Sequence, residues 1–431
     1  MTTRSTRIVG VLVVLGLLQP VSSAFAGNAD WAQVGFNGSL SKHNRLESTL
    51  VPSNVDGLRV DWMRRLRPDI GFIYEDASNV RIVQGGQVFA AWSGSEAAYQ
   101  VLVALDEEMG KRLWAVRDED WIEPMAATSS TLIVGIGSRS PSTRALDAGT
   151  GELRWSRVAA RPLVADRAVR RVIVVEGRVG ERRVSSLDAS TGALVWSRRL
   201  RIRLRGWGSE VLLTRGLVVI PVSTERGRRI VVVRASDGST VWSRRLHGDP
   251  ILADGGRFFT IRWAKFDVIV EGVSLDEGSV LWAYRSPFRT MIAAAGGGRV
   301  FVNRSECVRG CEGEGYGIYR GDVTALDAAT GGILWRRSGH ASRGPTLWRA
   351  DALANGLLVV SRVGLRRGRF GALAAATGRV RWIRTFGPRG VVAVVDAVAN
   401  GAVFGGILGG RRGGRIVRLA LPSNEVSGSV P

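Results

Sequence analysis

A chain of 431 residues with 55 glycines and 45% hydrophobic residues could hold two or three domains or one long repeat array. Its formal charge is +22, yet 57 of the 60 basic residues are arginine, the three lysines being Lys42, Lys111 and Lys265. The arginines are spread over the whole chain, with no basic helix and no aromatic RNA-binding signature, so no nucleic-acid partner is expected.

The first element is an export signal: Arg4 and Arg7 precede an apolar run, Ile8 to Leu18, that is too short to span a bilayer. Ala24 and Ala26 have the spacing that a signal peptidase reads, which places cleavage after Ala26 and makes residues 1–26 the signal peptide. No cysteine follows that site before Cys307, so no lipid-anchored amino terminus is expected, and no later stretch reaches the roughly 18 apolar residues of a membrane helix. The mature protein is then secreted, or held in the cell envelope or periplasm, as a soluble chain. Residues 27–57 form a lead-in arm, residues 58–421 the folded body and residues 422–431 a tail.

From residue 100 onward one phrase recurs. "ALDAGTGELRW" at 145–155 and "SLDASTGALVW" at 186–196 are two copies, and the anchoring tryptophans are Trp114, Trp155, Trp196, Trp242, Trp282, Trp335 and Trp382. A glycine stands four residues before each: Gly110, Gly151, Gly192, Gly238, Gly278, Gly331 and Gly378. The phrase has the chemistry of a hairpin, with apolar residues ending one strand, glycine supplying a tight turn and a second strand carrying the indole. Asp106, Asp147, Asp188 and Asp327 precede four of the tryptophans by eight residues. A carboxylate repeated in this way reads as a turn cap rather than a catalytic group.

Upstream of each phrase lies a Val/Ile/Phe-rich strand, at 87–92, 131–136, 171–176, 217–222, 257–262, 299–303 and 357–362, with an eighth at 402–407. Each unit leaves room for one more short strand, and four strands per unit of about 40 residues is a propeller blade. The eighth unit lacks a tryptophan phrase at the carboxyl end. "VDGLRVDWMRRL" at 55–66 carries Trp62 and has the composition of the missing outer strand. The predicted fold is all-β: an eight-bladed propeller of four-stranded blades, closed by pairing its terminal strands, with all eight tryptophans buried between blades.

The repeated A-x-D-x-x-T-G-x-x-x-W phrase resembles the tryptophan-docking motif of the pyrroloquinoline-quinone-like propellers, and "WAQVGFNGSLSKHNRLESTLVPSNVDGLRVDW" at 31–62 resembles their amino-terminal lead-in. The resemblance implies the fold and leaves three functional branches. One oxidises alcohols or sugars with the quinone and a calcium ion on the axis. One is the lipoprotein scaffold of outer-membrane barrel assembly. The third holds secreted members without a known ligand. The adjacent cysteine pair that covers the quinone in many dehydrogenases is absent, as are a C-x-x-C-H haem site and a recognisable calcium loop. The reading is a non-catalytic binding or scaffold propeller with no cofactor and no metal, probing an unidentified protein or cell-envelope polymer as a monomer. The alternative is a dehydrogenase dependent on the quinone and calcium.

The loops that follow the tryptophan strands gather near the axis. They supply the candidate binding residues: Trp121, Trp207 and Trp348 for stacking, Arg205, Arg289 and Arg343 for acidic groups, and Asp120, Glu123 and Asp249 as polar anchors. The structural alternative is that these residues pack between blades. His43, His247 and His340 lack ligand-spaced partners and read as turn or surface residues. Cys307 and Cys311 lie in the insertion that stretches one repeat interval, and in an exported protein they are expected to form a local disulfide. That loop, with Tyr316 and Tyr319, is a second candidate contact surface.

Overall fold

Alternation of apolar and polar residues over runs of five to eight, broken by glycine turns, gives each repeat four antiparallel strands. A computed structural model describes residues 29–65, 80–93, 100–137, 141–166, 168, 170–177, 182–200, 211–224, 227–265, 267–287, 289–309, 318–338, 346–364, 368–386, 392–408 and 414–422. The expected signal peptide and cleavage site, nearly all of the tail, Arg205, Trp207, His340, Arg343, Cys311 and Tyr316 lie outside them. Cys307 and Tyr319 are described only as backbone of paired strands.

Eight four-stranded sheets form the blades. Their inner strands are Val80–Gln84, Ile122–Ala127, Ala160–Ala165, Leu212–Thr214, Asp249–Asp254, Arg289–Gly296, Thr346–Ala354 and Val392–Ala399, for blades 1 to 8 in chain order. Each inner strand contacts the next, and the first contacts the eighth, so the sheets close into a ring. Strand Arg59–Arg65 pairs antiparallel with Arg415–Ala420 as the outer strand of blade 8, and this joins the two ends of the chain in one sheet as the sequence predicts.

The tryptophans lock neighbouring blades together. The Nε1–H of Trp62 donates to the carbonyl of Glu107 in blade 1 (2.9 Å), that of Trp114 to Ala148 in blade 2 (2.8 Å) and that of Trp282 to Ala328 in blade 6 (3.0 Å). Trp155, Trp196, Trp242 and Trp335 donate in the same way to Ala189, Ala235, Leu275 and Ala375. Each of these seven indoles lies on the turn glycine of the following blade: a Cβ built on Gly331 would lie 2.6 Å from Trp282, and one on Gly192 would lie 2.8 Å from Trp155. The glycine therefore serves both a positive φ and a close approach. The girdle is less uniform than the sequence suggests. Trp62, Trp114, Trp196, Trp282 and Trp382 are buried, whereas Trp155, Trp242 and Trp335 are half-buried.

The repeated aspartates cap turns. Asp147 Oδ1 accepts from the N–H groups of Gly149 and Thr150 (both 2.9 Å), and Asp327 Oδ1 accepts from Ala329 and Thr330 (2.9 and 2.8 Å). Hydrogen bonds to the charged form hold Asp147, Asp188 and Asp327 below the ordinary carboxylate range, led by Arg154 for Asp147, Ser190 for Asp188 and Thr330 for Asp327.

The lead-in segment makes a second closure. Innermost strands leave backbone groups without a strand partner on their axial edge, and residues 29–44 run round the axis to meet them. Trp31 exchanges both backbone hydrogen bonds with Val83 of blade 1 (2.7 and 3.0 Å), and Ala127 N–H of blade 2 donates to Ala32 (2.8 Å). Gln33 Nε2 donates to the Asp166 carbonyl beside blade 3 (2.7 Å). Leu213, Ala253, Ala295 and Leu353, of blades 4 to 7, donate their N–H groups to the carbonyls of Gly38, Ser39, Ser41 and Lys42 (2.8–2.9 Å). Asn44 Nδ2 completes the circuit on the Val398 carbonyl of blade 8 (2.8 Å). His43, expected at the surface, instead belongs to the short strand His43–Asn44 beside blade 7, where burial lowers its pKa to about 4.

Candidate functional site

The arm meets the inner strands near their carboxyl ends and so covers one face of the ring. The opposite face, where inner strands begin, is where the loops after the tryptophan strands arrive. Asp120 and Trp121 lie between the fourth strand of blade 1 and the inner strand of blade 2, with Asp120 Oδ1 accepting from the N–H of Trp121 (2.7 Å). Trp121 is 38% exposed. Glu123, Asp249 and Arg289 stand in the first residues of inner strands rather than in loops. Glu123 pairs with Arg81 of blade 1 (3.6 Å), Asp249 pairs with Arg228 of blade 4 (2.9 Å), and Arg289 is exposed. Trp348, expected to stack on a ligand, is buried in a cluster with Phe301, Val323 and Leu358 and presents no free face. His247 is exposed at the start of blade 5, and Met291 and Trp263 add apolar surface at this end.

Seven inner strands carry a register shift at one position, and the residue left unpaired there is Arg81, Met125, Leu163, Ile251, Ala293, Asp351 or Asp396. Such bulges re-aim side chains. On blades 2, 3, 5 and 6 the residue is apolar, and on blades 7, 8 and 1 it is Asp351, Asp396 and Arg81. The bulge residues thus divide the ring into an apolar sector and a charged sector.

Lys42 of the arm joins the charged sector, where it feels Arg349, Asp351, Asp396 and Arg81. Arg349 Nε lies 3.0 Å from Asp351 Oδ1, and Ser361 donates to the other oxygen of that carboxylate. Asp396 Oδ2 accepts from the N–H of Val80 (3.2 Å). Burial raises the pKa of both carboxyls against the pull of these partners, Asp396 to about 7. Burial also lowers the pKa of Lys42, and Arg349 lowers it further. None of Lys42, Arg81, Arg349, Asp351 and Asp396 was singled out from the sequence, because their common location depends on the bulges and on the path of the arm. The scarcity of lysine was the one available signal.

Among the described residues no three of His, Cys, Asp and Glu come together as metal ligands. Two carboxylates beside three cations make a charge-compensated cluster rather than a hard-cation cage. No described helix is long and apolar enough to cross a membrane.

The fold is shared with quinohemoprotein alcohol dehydrogenase from Comamonas testosteroni (15% identity, TM-score 0.61, covering 95% of this chain and 82% of that one). A second quinohemoprotein alcohol dehydrogenase, from Pseudomonas putida, has 16% identity and a TM-score of 0.59, covering 92% of this chain and 80% of that one. A europium-containing methanol dehydrogenase has 14% identity and a TM-score of 0.55, covering 91% and 98%. No curated protein matches the chain in sequence. The family profile described as outer membrane protein assembly factor BamB matches residues 98–258 and 319–405, more than half of the chain, and the chain belongs to that family of pyrroloquinoline-quinone-like propellers.

Proposed function

We propose that this chain is an exported, non-catalytic binding propeller that docks a partner protein or an anionic cell-envelope polymer on the face its arm leaves open. The observation that carries this reading is the asymmetry of the two faces. One is occupied by residues 29–44, which hydrogen-bond around the whole ring, while the other offers Trp121, Trp263 (60% exposed), Met291 (46% exposed) and Arg289. Exposed aromatic and basic groups on a rigid support are suited to an acidic partner with apolar contacts. The dehydrogenase alternative rests on likeness of fold alone. The described axial carboxylates do not fit a calcium-supported quinone, because Lys42, Arg81 and Arg349 already compensate them.

The test combines two measurements on the mature protein. Titration with pyrroloquinoline quinone and calcium, followed by indole fluorescence and dye-linked alcohol oxidation, is expected to give neither saturable quenching nor turnover. Capture of an envelope component by the immobilised protein is expected to weaken with added salt and to be lost in a Trp121→Ala, Trp263→Ala variant of unchanged melting temperature. Quinone-dependent turnover, or capture indifferent to both tryptophans, would overturn the reading.

A further inference from the structure

Arginines occur throughout the chain, but their excess over carboxylates is concentrated in two blades. Residues 160–246, which supply blades 3 and 4, hold nineteen arginines against seven carboxylates, more than half of the formal net charge of +22. The outer hairpins of these blades repeat one device. Arg-Arg stands at the start of the third strand at 182–183 and 228–229, and the hexapeptide "VWSRRL" runs along the fourth at 195–200 and 241–246. In blade 3 the register sets Arg183 opposite Arg199. In blade 4 it brings Arg229 against Arg245, one step beyond the pair Ile230 and Arg244. Opposed side chains stand about 5 Å apart at Cβ, and like charges there repel. The serine of the hexapeptide braces each pair: Arg183 Nε donates to Ser197 Oγ (2.9 Å), and Arg229 donates through Nε to Ser243 Oγ (3.1 Å) and through Nη2 to the Ser243 carbonyl (2.9 Å). Glu176 stands opposite Arg183 in the second strand, but its carboxylate is held by Arg157 (2.7 Å) and Ser185 (2.5 Å). Among the described residues no carboxylate lies within 4.0 Å of any of the four guanidiniums, and Arg183, Arg199 and Arg245 are exposed. At the same place in blades 1, 2, 5, 6 and 7 at most one of the two opposed residues is basic. Blade 8 opposes Arg65 to Arg415, across the ring from blade 4. Like-charged pairs in two adjacent blades cost the fold free energy and leave donors unfilled, an arrangement suited to an anion supplied from outside.

We propose that the rim of blades 3 and 4 binds a flexible polymer of repeating phosphates, one phosphate bridging each arginine pair. The pairs lie where third strands begin and fourth strands end, on the side of the open face. A tetrahedral phosphate has oxygens enough to accept from two guanidinium forks, whereas one fork fills a carboxylate. The second pair on the adjacent blade favours a polymer over a single anion, because binding of one phosphate brings the next to its site at high effective concentration. The tryptophan of each hexapeptide is docked on the following blade, so neither hexapeptide offers a ring on which a base would stack, and the polymer that fits carries no nucleobase. This surface goes beyond docking on the open face, since it uses none of Trp121, Trp263, Met291 and Arg289.

The test titrates the mature protein with long-chain inorganic polyphosphate, orthophosphate, polyglutamate of matched charge and a single-stranded oligothymidylate. Polyphosphate is expected to bind about tenfold or more tightly than each of the others, with an affinity that falls as salt is added. The Arg199→Thr, Arg245→Thr variant removes one arginine from each pair. It is expected to lose about tenfold or more in affinity while its melting temperature equals or exceeds that of the parent, because the opposed charges no longer repel. Arg112→Thr, Arg381→Thr removes the same charge from exposed positions on the outer strands of blades 1 and 7 and is expected to change affinity by about twofold or less. Equal affinity for polyglutamate or the oligothymidylate, an equal loss in the blade 1 and 7 variant, or a lower melting temperature of Arg199→Thr, Arg245→Thr would overturn the proposal. The Trp121→Ala, Trp263→Ala variant is expected to keep polyphosphate binding. Loss of partner capture there therefore leaves the rim site standing, and failure at the rim leaves docking on the open face unaffected.

Discussion

At Gly331 the backbone has φ +73°, and a Cβ would enter the ring of Trp282 at 2.6 Å. Two penalties therefore combine on substitution: a left-handed conformation that alanine resists, and an overlap that only displacement of a buried indole can relieve. Gly331→Ala is expected to cost about 2–4 kcal/mol in chemical denaturation. Gly297 has φ +57° but nothing within 4 Å of a built Cβ, so alanine there should cost only about 1 kcal/mol. Equal costs at the two sites would show that the indole contact adds nothing. The pairing of Gly331 with Trp282 spans two blades, and this explains why both residues recur at fixed spacing. The spacing within one repeat is set by a hairpin, but the contact itself reaches into the repeat before it.

The arm shows where a linear reading stops. Strand number, blade number and closure were legible, because alternation, turn glycines and the anchoring tryptophans are local signals repeated along the chain, and Trp62 supplied the missing copy. The path of residues 29–44 was not legible, because those residues meet eight blades through a few backbone and side-chain hydrogen bonds each and so carry no periodicity of their own. For the same reason His43 was taken as a surface residue and the axial cluster was missed, while Trp348 was placed in a loop although its strand begins two residues earlier. Asn44 tests the arm as an element. It is fully buried, its Nδ2 donates to Ala29 (2.6 Å) and Val398 (2.8 Å), and its Oδ1 accepts from Leu46 and Glu47 (3.0 and 3.2 Å). Asn44→Ala strands two buried carbonyls and two N–H groups and is expected to cost about 3–5 kcal/mol, each unpaired group contributing about 1–3 kcal/mol less relaxation. Hydrogen exchange should then speed up first at Ala29 and along the arm. Uniform acceleration across all blades would mean that the arm does not open on its own.

At the scale of the whole ring, the arm, blade 1 and blade 8 meet at one place, and the stability of closure is expected to depend on pH there. Asn400 Nδ2 donates to Asp30 Oδ1 of the arm (2.9 Å) and to both carboxylate oxygens of Glu107 in blade 1 (3.1 and 3.2 Å). Gln84 Nε2 donates to the other oxygen of Asp30 (2.8 Å). Glu107 is 4% exposed, and burial pushes its pKa up to about 7, with Asp30 and Glu108 adding to the rise while Asn400 and Arg418 oppose it. In the unfolded chain the same carboxyl titrates near 4.5. Between these values the folded ring keeps a proton that the unfolded chain releases, so this group's contribution is full below pH 4.5 and is lost as pH rises towards 7. The shift corresponds to about 3 kcal/mol. Asp396 acts in the same direction, from 3.8 to about 7. Glu107→Gln stays neutral at every pH while keeping a carbonyl oxygen to accept from Asn400. It is therefore expected to raise the melting temperature above that of the parent at pH 8 and to leave it nearly unchanged at pH 4.5. A gain of equal size at both values would show that Glu107 is not the titrating group, and no gain at pH 8 would show that the seam already tolerates its charge.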